Sequence, residues 1–336
     1  MPYFIRSGSL TGFPVVALDA GLDPLSLLRE FGVPQRCLDE PDLMMPIEPA
    51  CRLLEAAATR SGVEGFGLLM AEARKVSSLG PLGMFAREQP TLREAVEAMA
   101  RYGRLLNESL VIWIEETPDV AVLREELLVG DQVAVRQGTE LAVGLLFKLM
   151  CSFLGADWKP RRVCFVHEAP HDGTVHQRIF GREVHFGADF NGIVCTPRDL
   201  TAANPHADPT IARYAKQLLE SQAPAESGRF SSQVRQLVVM QLSSGQCTVD
   251  RVAQLLRIDR RTIHRRLLAE GHTFTDVLES VRHELVTRYV ADPRTSLAQV
   301  SSLLGFAAPS GFSRWYRQRF GEPASAARGR RAREAP

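Results

Sequence analysis

The sequence predicts an α+β protein: an N-terminal helical section plus a small, mostly antiparallel sheet, followed by an all-α C-terminal domain with two helix-turn-helix motifs joined by a linker helix. Three observations lead there. One short pattern is written twice, about 48 residues apart, between residues 248 and 320. The apolar period switches from helical to alternating near residue 110 and back near residue 132. Charge divides sharply along the chain. From Gly228 onward there are 18 Arg and no Lys against 9 acidic residues, a net +9; the total of 40 basic and 39 acidic residues leaves 22 against 30, a net −8, for residues 1 to 227.

The first copy of the repeat runs Thr248, Val249, Val252, Ala253, Leu255, Leu256 and Ile258, then Ile263 and Leu267. The second runs Ser296, Leu297, Val300, Ser301, Leu303, Leu304 and Phe306, then Phe312 and Tyr316. Each copy has an N-cap hydroxyl, a short helix with apolar residues at helical spacing, a tight break and a second amphipathic helix. That pattern is a helix-turn-helix. With Arg260 opening a helix, a step of about 100° per residue sets Ile263 and Leu267 on one face and Arg261, His264 and Arg265 on the opposite one. In the second copy Phe312, Trp315 and Tyr316 define the buried side, Ser310, Ser313, Arg314 and Arg317 point away, and Pro309 suits the first turn. Guanidinium and imidazole donors beside small hydroxyls are what guanine acceptors, phosphates and thymine methyls in a major groove require. The candidate DNA-binding residues are Arg260, Arg261, Thr262, His264 and Arg265 in the first copy, and Ser310, Gly311, Ser313, Arg314 and Arg317 in the second. Each arginine alone would pass for a solvated face; it is the constellation with the +9 charge that points to double-stranded DNA.

Between the copies, Thr275 to Ala291 reads as one helix with Val277, Leu278, Val281, Leu285, Val286 and Tyr289 as packing positions, stopped by Asp292-Pro293. At about 1.5 Å per residue it forms a rod of roughly 25 Å. With flanking packing, such a rod suits two recognition helices about 34 Å apart, one turn of duplex on a single DNA face.

This segment resembles the C-terminal domain of the AraC/XylS transcription regulators. The resemblance rests on Arg260-Arg261-Thr262-Ile263-His264-Arg265-Arg266-Leu267 with Gly271 behind it, on Tyr289-Val290-Ala291-Asp292-Pro293, on Leu303-Leu304-Gly305-Phe306, on Phe312-Ser313-Arg314-Trp315-Tyr316 and on Phe320-Gly321-Glu322-Pro323. It covers about a hundred residues. The resemblance implies DNA contacts from the outer face of each recognition helix, at Arg261, His264 and Arg265 and at Ser310, Ser313 and Arg314. Gly311 departs from the larger residue usual there.

In the N-terminal half, helices are expected around Leu22 to Phe31, Pro49 to Ser61, Phe66 to Arg74 and Gly80 to Glu88, and after Thr91, whose Glu94 stands at the capping-box position. Leu110 to Glu115 and Val120 to Leu128, split by Thr117-Pro118-Asp119, read as a β-hairpin; Arg162 to His167 and Gly192 to Thr196 are further strands. The helix from about Gln132 to Phe153 is apolar almost all round, so it is central to the domain or part of a dimer contact. This half is similar to the arabinose-binding-like sensor domain of the same regulators, through Phe66-Gly67-Leu68, Leu79-Gly80-Pro81-Leu82-Gly83, Thr91-Leu92-Arg93-Glu94-Ala95, Phe180-Gly181-Arg182-Glu183-Val184-His185-Phe186 and Phe190-Asn191-Gly192. The resemblance spans about residues 20 to 203 and implies a small-molecule effector. Nothing in the residues identifies arabinose, and no effector-binding residues are assigned.

Other chemistries find no support. His167, Glu168, His171, His176 and His185 are too loosely spaced for a metal site and are read as polar loop residues. Phe180-Gly181 and Phe186-Gly187 are read as turns with aromatic anchors. There is no nucleophile elbow or P-loop, and no cofactor motif. The zinc cysteines and Pro-Cys-His site of a DNA-alkyl transfer enzyme are missing, so no enzyme is expected. The six cysteines lack paired spacing and are expected to be reduced and mostly buried. Met1 to Gly21 has no long apolar core, and Leu141 to Met150 is short and contains Lys148, so neither a signal peptide nor a membrane span is expected and the cytoplasm is the default.

The expected organisation is a sensor or association domain over 1–203, a connecting helix and linker over 204–228 with Ala223 to Gly228 as the joint, the DNA-binding domain over 229–325, and a basic disordered tail over 326–336. The whole reads as a sequence-specific transcription regulator, an activator on family resemblance, working with an effector, RNA polymerase and a second copy of itself in a homodimer. The alternative is an architectural DNA-binding protein whose N-terminal half serves only for association.

Overall fold

The computed structural model describes residues 3–129, 133–222, 230–242, 247–256, 258–291 and 295–334. The chain divides into two compact units, Met1–Ala223 and Pro224–Pro336.

In the first unit, β1 (Phe4–Arg6) pairs antiparallel with β2 (Met44–Pro46), and α1 (Phe13–Asp19) and α2 (Pro24–Glu30) lie between them in sequence. The Asp23 carboxylate caps α2 by accepting from the Leu25 N–H. α3 (Ile47–Ser61) and α4 (Phe66–Ala73) close a core with these helices around Phe13, Leu28, Leu53 and Phe66. After α5 (Pro81–Arg87), α6 (Leu92–Tyr102) starts at the capping box read from the sequence: Thr91 Oγ1 accepts from the Glu94 N–H, and the Glu94 carboxylate accepts from the Thr91 N–H.

The sheet then forms from β3 (Leu110–Glu116) and β4 (Ala121–Leu127), the expected hairpin, which α7 (Arg136–Leu154) follows. β5 (Arg162–Phe165), α8 (Thr174–Phe180), β6 (Val184–Phe186) and β7 (Asn191–Cys195) complete a five-stranded sheet ordered β3-β4-β7-β5-β6. Its pairs are antiparallel except β5 with β6. That exception explains a missed element: parallel neighbours need a crossover, and α8 supplies it, so the segment read as turns holds a strand too short to show alternation. Phe186 of β6 stacks on Phe165 of β5 at 5.8 Å. α9 (Pro197–Leu200) and α10 (Pro209–Gln222) end the unit, and α10 packs on α5. The helix expected to connect the domains is therefore part of the first one. The joint at Ala223 to Gly228 lies outside the described residues.

α7 is the central helix. By length and composition it could cross a bilayer, but it is packed against α3, α4, β4 and β7, with Val143, Leu146, Phe147, Leu149 and Met150 buried. Two glycines let it approach α4: a Cβ at Gly67 would stand 2.0 Å from the Gln137 carbonyl oxygen, and one at Gly144 would stand 2.6 Å from the Ala71 Cβ. Lys148, the charge within this apolar helix, donates from Nζ to the carbonyls of Ala71, Glu72 and Arg74, satisfying the C-terminal end of α4.

One of the histidines read as loop residues belongs to the core instead, and a second reaches the same carboxylate from the loop after β5. His176 on α8 is fully buried, with Nε2 3.0 Å from Glu140 Oε1 of α7; His167 Nε2 lies 3.2 Å from the same oxygen, and Arg136 Nε donates to it at 3.1 Å. The sequence hid this cluster because its acceptor comes from a different element than the histidines. Burial by itself would raise the Glu140 carboxyl, but the hydrogen bonds and charges of His167 and His176 together outweigh it and hold the group down to about 2. The six cysteines are free, and burial raises Cys51 and Cys195 to about 12 and Cys247 to about 11, so these three rest as thiols.

The second unit is all-helical: α11 (Phe230–Leu242), α12 (Val249–Leu256), α13 (Arg260–Ala269), α14 (Phe274–Ala291), α15 (Leu297–Leu303), α16 (Pro309–Phe320) and α17 (Ala324–Glu334). α14 is the expected linker helix, capped by reciprocal bonds between Thr273 and Asp276. Its expected stop at Asp292-Pro293 lies outside the described residues. α11, unassigned from the sequence, buries Val234 and Val238 and packs on α12, α13 and α14. Of the tail expected to be disordered over 326–336, the residues up to Glu334 lie in α17, and 335–336 lie outside the described residues. α17 packs on α14 with Ala324 and Ala327 buried, and Arg328 Nε donates to the Val290 carbonyl at 3.1 Å. Its arginine-rich composition hid the two alanines, spaced three apart, that make the contact.

Removing one member of a buried ionic cluster typically costs about 3–5 kcal/mol. Glu140→Ala is therefore expected to destabilise the first unit by an amount of that order in urea unfolding at pH 7. Because the folded pKa is depressed, the stability that the carboxylate supplies is complete above its unfolded value of about 4.3 and is lost as pH falls toward about 2. The gap between variant and wild type should close over that window.

Candidate nucleic-acid interface

Each helix-turn-helix is set by its caps and its turn. In the first, Thr248 Oγ1 accepts from the Arg251 N–H, and the Asp259 carboxylate accepts from the Thr262 N–H at the start of α13. In the second, Ser296 and Gln299 form a capping box on α15, and Gly305 makes the turn toward α16 at φ 69°. Only glycine suits that position: the left-handed backbone strains other residues, and an added Cβ would lie 3.2 Å from the Leu242 carbonyl oxygen.

Each recognition helix buries the face expected. Ile263 and Leu267 of α13 and Phe312 and Tyr316 of α16 are buried, whereas Arg260, Arg261, His264, Arg265, Ser310, Ser313, Arg314 and Arg317 are exposed. Superposing the two buried faces by residue step pairs Arg261 with Ser310, His264 with Ser313 and Arg265 with Arg314. Two expected residues are placed differently. The Thr262 hydroxyl donates to Asp259 at 2.8 Å and serves the cap, and Gly311 is half-buried, where an added Cβ would lie 3.7 Å from the Phe306 ring. Arg260 reaches back to Asp250 at 3.8 Å, and its Nε lies 3.4 Å from His264 Nε2. The neighbouring Arg266 is not on this face; its guanidinium covers the Phe230 ring at 5.3 Å.

Sequence reasoning missed Leu268. It is 71% exposed and occupies on α13 the position that Arg317 occupies on α16. The signal was present in the helical step that placed Arg317, but a leucine next to Leu267 reads as core. An exposed leucine among arginines offers an apolar contact of the kind a thymine methyl accepts.

α14 holds the second motif through Glu279, Arg282 and His283, on two consecutive turns. Trp315 Nε1 donates to Glu279, His283 stacks on Phe320 at 5.2 Å, and Arg282 donates from Nε to Leu304 O at 3.0 Å and from Nη2 to Gly305 O at 3.3 Å. The Arg282 guanidinium also lies 4.1 Å from the Phe306 ring centroid. On the other side, Glu284 of α14 pairs with Arg235 of α11, and Glu270, behind α13, accepts from the Phe230 and Ser231 N–H groups at the start of α11. One continuous helix thereby connects both reading faces.

Comparison with known proteins gives a family for each half of the chain. The family described as the arabinose-binding domain of the AraC transcription regulator, N-terminal, matches residues 21–204, and a helix-turn-helix domain family matches residues 252–330. The HTH-type transcriptional regulator VirS of Mycobacterium tuberculosis is 30% identical over 94% of this chain and 94% of its own length. The ornithine utilization regulator of Pseudomonas aeruginosa is 24% identical over 91% of this chain and 93% of its own length. The crystal structure of the transcriptional regulator CdpR of Pseudomonas aeruginosa covers 91% of this chain and 97% of its own, at 19% identity and a TM-score of 0.44.

Arg282→Ala leaves the Leu304 and Gly305 carbonyls without their donors, at a cost of about 1–3 kcal/mol. The loss is expected to fall on the second motif: amide exchange should accelerate in α15 and α16 more than in α12 and α13.

Proposed function

The chain belongs to the AraC family of transcription regulators, and on that premise we propose that it is an effector-responsive activator that reads two adjacent major-groove segments of double-stranded DNA. It is a DNA-binding regulator with an arabinose-binding-like N-terminal domain, and not an enzyme. The observation that carries the finer reading is the repetition of one exposed face, Arg261, His264 and Arg265 on α13 and Ser310, Ser313 and Arg314 on α16, held by a single helix. Leu268 and Arg317 extend these faces by one position each. The effector is a small molecule taken up by the N-terminal unit, and the activated regulator engages RNA polymerase in the cytoplasm.

The test uses residues 229–336 alone, a compact unit with its own core. This fragment should bind duplex DNA with an affinity that falls steeply as salt rises, because its net charge of +9 displaces counterions from phosphates. Arg261→Ala, Arg265→Ala and Arg314→Ala should each cost about 1–3 kcal/mol at the specific site and relax sequence preference, measured by competition against random duplex. Arg266→Ala should lower stability and leave sequence preference intact. Salt-independent binding, or equal losses on specific and random DNA, would place the reading face elsewhere.

A second observation favours a homodimer. α10 buries Ala215 and Leu219 against its own unit but exposes Ile211, Tyr214 and Leu218, an apolar stripe at helical spacing. Such a stripe on a 14-residue helix suits a matching helix from a second copy. Leu218→Asp with Tyr214→Asp is expected to shift sedimentation toward monomer without lowering the melting temperature of the first unit.

A further inference from the structure

Three hydrophobic clusters make up the first unit: one around Leu68 and Phe165, one around Phe13 and Leu53, and a small one of Ile47, Cys51 and Leu127. They meet without filling the space between them. A cavity of about 90 Å³ remains, walled by α3, α7 and the face of β3 and β4. At about 10–15 Å³ for each water centre, it has room on the order of six to nine waters, or a ligand of about that many non-hydrogen atoms. Its walls are apolar nearly throughout, with Ile112, Leu127, Leu141 and Leu145 among them. Apolar cavities weaken a core because the lining side chains lose contacts, so a void at the junction of three clusters is a cost to the fold.

One wall residue violates the pattern around it. Ala121, Leu123, Glu125 and Leu127 lie on the same face of β4, the face turned to the core, and the glutamate stands where the alternation calls for an apolar side chain. Glu125 is 3% exposed, and its Oε2 has no hydrogen-bond partner. Burial alone pushes the carboxyl up to about 8. A buried carboxyl in that condition lacks a hydrogen-bond partner.

Two other polar groups on the wall have partners of their own. Arg74 donates from Nε to Ser78 Oγ, from Nη1 to Ser9 O and from Nη2 to Gly8 O, and Asn107 Oδ1 accepts from both the N–H and the hydroxyl of Ser109. A sugar would bury several hydroxyls against walls that are mostly apolar, and a carboxylate would meet Glu125 acid to acid. An apolar body with one donor satisfies the site.

We propose that this cavity is the effector site and that it takes a small apolar molecule with a single hydrogen-bond-donating head, a primary amine or an alcohol, seated on Glu125. The proposal rests on the reading that the N-terminal unit binds an effector, and it narrows the effector's chemistry. The two heads differ in proton balance. An ammonium group pairs with the carboxylate, so the Glu125 proton leaves to solvent on binding, whereas an alcohol donates to the carboxyl and no proton is released. Arg74 and Cys51, the other titratable groups on the wall, titrate at about 10 and about 12, so neither contributes to proton exchange near pH 7.

The full-length protein is titrated with hexylamine, hexanol, hexanoate and L-arabinose by calorimetry and thermal shift, and DNA binding is measured on the same samples. Hexylamine or hexanol is expected to bind one to one and raise the melting temperature. Hexanoate and arabinose are expected to do neither. Proton release, seen as a dependence of the heat on buffer ionisation, identifies the amine. Glu125→Leu should weaken that binding by at least about tenfold, while Glu125→Gln, which keeps the shape and a polar head, should retain more of it for the alcohol than for the amine. If hexanoate or arabinose binds in place of the amine and alcohol, or if Glu125→Leu binds as well as wild type, the proposal is overturned. If no probe binds while duplex DNA still does, the cavity is not the effector site and the regulator reading stands. Failure to bind DNA would sink that reading whatever the probes do.

Discussion

The second unit depends on the continuity of α14. Its side chains settle where both recognition helices stand: Glu279, Arg282 and His283 hold α16 and the turn before it, and Glu284 holds α11, on which α12 and α13 rest. A helix of 18 residues spans about 27 Å and resists bending far better than a loop of that reach. Two reading faces joined by a flexible tether would search for their grooves separately and lose orientational freedom on each binding event. On the proposed reading, faces joined by a rod would meet the duplex as one rigid reader, and the spacing of the two DNA segments would become part of what is recognised.

The first unit is organised around a different constraint, the close approach of α4 to α7 over Gly67 and Gly144. That approach leaves no room for side chains and brings a helix rich in leucine and phenylalanine across the sheet. The polar groups trapped by the packing are handled in contrasting ways. Glu140 collects two histidines and an arginine, Lys148 collects three carbonyls, and Glu125 is left with an oxygen unsatisfied. Most buried polar atoms in folded proteins find partners, and an unsatisfied carboxyl oxygen on an apolar cavity wall is a place where a ligand has something to offer.

Much of this was legible in the residues. The repeated pattern, with its hydroxyl caps and apolar step, located both helix-turn-helix motifs, and Thr91 with Glu94 marked the start of α6 to the residue. What was not legible depended on partners distant in sequence. Glu140 lies 36 residues from His176, and β6 is defined by β5 across a crossover. α17 was hidden because helix formation there rests on Ala324 and Ala327 meeting α14, while its composition suggested a solvated tail. Thr262 has a local role that the repeat did not reveal: its hydroxyl donates to Asp259 at the helix start. Glu125 could have been found, since a lone acid in the alternation of β4 is visible in the string Ala-Val-Leu-Arg-Glu-Glu-Leu.

The bond from Arg328 to the Val290 carbonyl bears on how the reader can be cut and fused. The last carbonyls of any helix lack partners within it, and here one of them, on the rod that spaces the two motifs, is satisfied from beyond the second motif. A boundary drawn after Pro323, where the family-like pattern ends, would remove that donor along with the apolar contacts of Ala324 and Ala327. The rod would then fray at the end nearest the second motif, and the spacing between reading faces would loosen although every DNA-facing residue remained. Tags, fusions and domain swaps that keep the chain through Glu334 preserve the ruler as well as the letters it measures.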